Sequence, residues 1–166
     1  MKKYFALAVV FVAVLFSACS DESEKPPVDL NKQKQIEIRF TELSGIKTIP
    51  VTLNGVPMKM IFDPGCSVTQ LSMNEIITLY KNGVFTDGDI IGTTYSQIAD
   101  GSVVENAVIR LKTVEIGGEN GILLKNIDAT ISMNQDAPIL LGNGVLDKVC
   151  SYTVDNRNKK IIFRKK

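Results

Sequence analysis

"MKMIFDPGCSVTQLS", residues 58–72, runs an apolar alternation into an aspartate and then breaks the chain with Pro-Gly. Val56, Met58, Met60 and Phe62 recur at every second position, the period of a strand with one buried face. Proline fixes φ and glycine accepts positive φ, so Asp63-Pro64-Gly65 taken alone is turn chemistry. What surrounds it decides whether Asp63 is more than a turn residue. Upstream, Ile49, Val51 and Leu53 alternate, and Asn54-Gly55 separates them from the Val56 run. Asn-Gly between alternating runs signals a two-residue hairpin, because both residues tolerate positive φ. Asp63 therefore falls at the C-terminal end of a hairpin's second strand. Downstream, Ser72 followed by Glu75 reads as a capping box that opens a helix with Ile76, Leu79 and Tyr80 on one face. Asn82-Gly83 stops that helix.

Further out the pattern is again one of short strands. Ile36, Ile38 and Phe40 alternate before the hairpin. Strands are predicted over Thr93 to Ile98, Val103 to Ile116 and Ile122 to Ser132, the first two joined by an Asp100-Gly101 turn. Pro138 leads into Ile139-Leu140-Leu141, then Gly142-Asn143-Gly144 and a short helix-like stretch, Val145 to Val149. Tyr152 to Val154 and Ile161 to Phe163 form a last hairpin around Asp155 to Asn158. Many short strands with one or two short helices predict a mainly β barrel or sandwich.

Composition narrows the chemistry. The chain has 166 residues, 45% apolar and 22% charged, enough for one domain with a sizeable core. Its net charge of +1, the lack of tryptophan and the lack of any basic patch interleaved with aromatics argue against nucleic-acid binding. The sequence contains no histidine, which removes Ser-His and Cys-His nucleophile pairs and the commonest metal ligand. Gly117-Gly118-Glu119-Asn120-Gly121 is not followed by Gly-Lys-Ser/Thr, and Asp87-Gly88-Asp89 is too short for a calcium loop; both read as turns. No metal and no cofactor is expected.

The N-terminus is a separate unit. Lys2 and Lys3 precede an apolar run of 13 residues, Tyr4 to Phe16, shorter than the roughly 20 needed for a spanning helix. Residues 1–18 thus read as a signal peptide. The ending Phe16-Ser17-Ala18-Cys19 resembles a bacterial lipobox, with Phe16 where leucine is usual. Cys19 is then the expected lipidation site and membrane anchor. Residues 19–34, with Asp21, Glu22, Glu24, Pro26 and Pro27, are too polar to build a core and read as a tether to a domain spanning 35–166. The expected location is the bacterial cell envelope, at the outer membrane, facing either the periplasm or the exterior.

Ile61-Phe62-Asp63-Pro64-Gly65-Cys66-Ser67, followed by Thr69 and Leu71-Ser72, resembles the active-site loop of retropepsin-like aspartic proteases. That family carries two hydrophobic residues, Asp-Thr/Ser-Gly-Ala-Ser, then threonine and Leu-Ser before a helix. Ala99-Asp100-Gly101 resembles the tip of the family's flap, and Pro138 to Gly142 with Val145-Leu146 resembles the element packed beneath its loop. The resemblance implies a closed acid-protease barrel and a polypeptide substrate. It makes Asp63 the catalytic residue, with Pro64, Gly65, Cys66 and Ser67 completing the loop. The chemistry needs two carboxylates sharing one proton. One chain offers one such motif, so the resemblance implies a homodimer with Asp63 meeting Asp63 at a two-fold axis.

Two residues depart from the family pattern. Pro64 stands where a threonine or serine hydroxyl bonds across the dimer axis, and it brings neither hydroxyl nor N–H. An impaired peptide-binding module therefore stands beside the peptidase as the alternative. Cys66 occupies an alanine position and, without a histidine base, reads as a small packed residue. Cys66 and Cys150 are expected as free thiols, because the family layout sets Cys150 away from the loop.

Overall fold

The computed structural model describes residues 35–98, 100–118, 121–149 and 151–165. The proposed signal peptide, Cys19, the tether, Ala99 and Cys150 lie outside the described residues.

Eight strands make one sheet: β2 (Thr41–Leu43), β3 (Ile46–Leu53), β4 (Val56–Phe62), β5 (Thr69–Ser72), β6 (Ile90–Gln97), β7 (Val103–Ile116), β8 (Ile122–Ser132) and β9 (Leu140–Leu141). Their spatial order is β2-β3-β4-β9-β5-β8-β7-β6, and β3 pairs with β7 as well as β4. That second pairing, Val51 opposite Ile116 to Leu53 opposite Val114, closes the sheet on itself. The fold is therefore a closed barrel, as expected. β1 (Gln35–Arg39), β10 (Ser151–Asp155) and β11 (Lys160–Arg164) form a separate three-stranded antiparallel sheet in the order β1-β11-β10.

The sequence signals explain the joints. Asn54 and Gly55 take φ of 48° and 86°, the left-handed pair that a two-residue hairpin requires. Asn54 has a further task that its turn role did not announce. Its side chain turns inward, where Nδ2 donates to Val84 O (3.0 Å) and Oδ1 accepts from Thr113 N–H (3.0 Å). Ser72 caps α1 (Met73–Lys81) through a complete capping box with Glu75, and Gly83 follows at φ 69°.

Inside the barrel Ile49, Leu53, Met60, Leu71, Ile109, Leu111, Ile116 and Leu141 are wholly buried. Phe62, the residue before Asp63, meets Tyr152 and Phe163 edge-on, with ring centroids 5.1 and 6.2 Å apart. Edge-to-face contacts of this kind join the Asp63 strand to the three-stranded sheet.

Three expectations need correction. Tyr80 is exposed, not on the buried face of α1; only Ile76 and Leu79 are buried there. It lies in the last turn, on the rim of an apolar groove rather than beneath it. The second helix, α2, is Asn143–Leu146, starting two residues earlier and ending three residues sooner than the sequence suggested. It starts early because Asn143 N–H is taken by Cys66 O, and past Leu146 the bonds turn to i→i+3 spacing at Lys148 and Val149. Lastly, β6 begins at Ile90, directly after the 3₁₀ turn Asp87–Asp89.

Candidate active site

Phe62 is the last residue of β4, and Asp63 leaves the strand still tied to its neighbour β9: its N–H donates to Leu141 O (3.2 Å). Pro64 and Gly65 then turn the chain, closed by Cys66 N–H on Asp63 O (3.2 Å). The Asp63 carboxylate is half-buried, and its Oδ1 accepts from Gly65 N–H (2.9 Å). One oxygen is thus held by backbone while the other bonds to no described residue. Pro64, Gly65 and Ser67 are exposed, and Cys66 is a half-buried free thiol.

The loop rests on the segment that follows β9. Gly142 lies so close beneath it that a Cβ there would sit 1.9 Å from Val68 O and 2.7 Å from Cys66 O. Only glycine admits that approach. Asn143 then donates twice upward, from its N–H to Cys66 O (2.9 Å) and from Nδ2 to Pro64 O (3.0 Å). Sequence reasoning identified Gly142 but gave Asn143 no task. The one signal available was its position directly after that glycine. Thr69 is buried behind the loop, and its hydroxyl has no partner among the described residues; the space beside it belongs to Gly144, which has no side chain.

Asp63 and Pro64 open into a cleft of about 550 Å³, walled by Ile46, Ile61, Leu140 and Val154. Among the described residues Asp63 is the one carboxylate lining that cleft. Two acidic residues outside the cleft are engaged elsewhere. Asp128 is paired with Arg110 through two bonds (2.8 and 3.1 Å), which hold its carboxyl below the usual range. Asp100 sits at the tip of the β6–β7 hairpin, where Ser102 N–H (2.8 Å) stabilises its charge and lowers its pKa.

That hairpin tip is shaped as expected, with Gly101 at φ 86° and Gly101 N–H on Ile98 O (2.9 Å). None of its described residues lines the Asp63 cleft. Ile98 instead lines a second cavity of about 450 Å³ with Gln70, Val104, Asn106 and Met133. The loop residues 63–67 are thus one unit, and the hairpin tip is another.

The chain matches known proteins in two ways. The model of the family described as "gag-polyprotein putative aspartyl protease" matches residues 49–148, from β3 to the end of the loop-supporting segment. Among solved structures 44 chains match. One is a retropepsin-like aspartic protease from Rickettsia conorii, superposing with a TM-score of 0.56 over 80% of this chain and 93% of that one at 22% identity. No curated protein sequence matches. The family match spans more than half of the chain and includes both the Asp63 loop and the glycine beneath it, and the chain belongs to the retropepsin-like aspartyl protease family.

Proposed function

We propose that this protein is an aspartic endopeptidase that hydrolyses peptide bonds through an Asp63 pair in a homodimer. The observation that supports this reading most is the setting of Asp63: a strand-end carboxylate, one oxygen pinned by Gly65 N–H, facing a cleft of mixed polar and apolar lining. Two such carboxylates brought together cannot both ionise, so one keeps a proton. The ionised member takes a proton from water, which attacks the scissile carbonyl, and the protonated member stabilises the oxygen. The titration belongs to the pair rather than to either residue. The hairpin tip at Asp100-Gly101 would serve as the flap over the bound peptide. Cys19 would carry the lipid anchor, tethering the domain to the bacterial envelope on its periplasmic or its outer side.

A second reading rests on Pro64. Without hydroxyl or N–H, the loop loses a means of gripping its counterpart, which favours a module that binds peptides without cutting them. Cleavage of an unfolded protein at acid and neutral pH, with and without pepstatin, separates the two. The peptidase reading expects pepstatin-sensitive cleavage that Asp63→Asn abolishes while the fold is retained. Cleavage that survives Asp63→Asn would place catalysis elsewhere. Peptide binding with no cleavage at either pH would establish the second reading.

A further inference from the structure

Asn143 reaches a carbonyl 79 residues away in sequence, and that carbonyl has a particular place in the site. Pro64 C=O and Gly65 N–H belong to a single planar peptide unit, in which the two groups point to opposite sides. Asn143 Nδ2 holds the carbonyl end at 3.0 Å, and the amide end holds Asp63 Oδ1 at 2.9 Å. Fixing one end of a rigid plane fixes the direction of the other. We propose that Asn143 is a positioning residue for Asp63, acting through the Pro64–Gly65 peptide plane.

Three features support this. A carbonyl that accepts a hydrogen bond polarises its peptide unit and makes the attached N–H a stronger donor, so the relay also tightens the grip on the carboxylate. Pro64 has no N–H and a fixed φ, so its carbonyl is the one main-chain hydrogen-bonding handle on that residue. Asn143 is itself anchored, because its own N–H is held by Cys66 O at 2.9 Å and Gly142 leaves no gap beneath the loop. The loop is therefore locked from inside its own chain, at the residue where a hydroxyl grip is missing.

The catalytic half of this inference rests on the peptidase reading; the loop half does not. The test uses the full chain with Asn143→Ala and Asn143→Asp. Both keep the backbone bond to Cys66; the first drops the side-chain donor, and the second sets an acceptor against the Pro64 carbonyl. Hydrogen exchange is followed at the Gly65 and Cys66 amides and, as a reference for global opening, at the β7 amides. The expected result is exchange at the loop about fivefold faster than in the parent, relative to β7, the ratio that one hydrogen bond of about 1 kcal/mol sustains. Asn143→Asp should show at least as large an excess. Loop exchange that changes no more than β7 in both variants would overturn the proposal. Where the parent cleaves, kcat should fall with KM unchanged, and a raised KM at unchanged kcat would also overturn it. A parent that cleaves nothing defeats the peptidase reading, yet the exchange result still decides the role of Asn143.

Discussion

The loop at Asp63 and the hairpin tip at Asp100 are both short turns at strand ends, yet they are held in opposite ways. The Asp63 loop draws its bonds from far along the chain: Leu141 O, Asn143 N–H and Asn143 Nδ2 all grip it, and Gly142 packs against its carbonyls. Among the described residues the Asp100 tip is bonded only within itself. Its bonds run among Gln97, Ile98, Asp100, Gly101 and Ser102, while Tyr95, Ile98 and Val103 beside it are exposed. Local opening is cheap where contacts are few and bonds are local, and costly where they tie distant elements together. A carboxylate held on a rigid support is what precise chemistry at the Asp63 loop calls for.

The same substitution in each region breaks the comparison most directly. Gly142→Ala forces a Cβ into backbone oxygens, with no flexible side chain to give way. We expect a loss of about 4 kcal/mol or more, in the range of the largest single-substitution effects, read as a drop in urea midpoint. The equivalent change at the tip, Gly101→Ala, meets open space and suffers only its φ of 86°. That costs about 1–2 kcal/mol of left-handed strain. Equal losses at the two glycines would mean that the Asp63 loop is held no more tightly than the hairpin tip.

Between these lies Pro64→Thr. If two loops meet at an axis, restored cross-axis bonds at about 1 kcal/mol each, two by symmetry, tighten the dimer by about 2 kcal/mol, or roughly thirty-fold. Sedimentation over a dilution series reads this. A variant that associates no better than the parent would mean that the loops do not meet. The smallest effect concerns pH. Hydrogen bonds from Ser102, Arg110 and Asn158 lower the carboxyl pKa of Asp100, Asp128 and Asp155, and lysine partners lower that of Glu42. A carboxylate depressed in the fold stabilises it above its unfolded pKa and loses that contribution as pH falls through the folded value. The urea midpoint should therefore decline modestly below about pH 4, the unperturbed carboxylate range. All four groups are surface groups, so a steep collapse there would point to a buried carboxylate instead.

Much of this arrangement was legible in the sequence where the signal is local. Asn54-Gly55, Ser72 with Glu75, and Asn82-Gly83 each act within a few residues, and each formed the expected joint. Alternation identified β1, β3 and β4 because a strand's period repeats along the chain. What escaped depends on contacts between distant segments. Nothing near Asn143 marks its amide for Pro64, and nothing near Asn54 tells of Val84 and Thr113. Tyr80 shows the same limit, since helical spacing gives a face but not where the neighbouring sheet ends.

The most direct measurement mixes wild-type and Asp63→Asn chains in equal amounts, with time to exchange partners, and reads peptidase activity at constant total protein. If two chains share one site, only dimers with both aspartates act, and random pairing leaves about a quarter of the wild-type activity. Activity at about half would mean that each chain works alone, and would contradict the shared Asp63 pair.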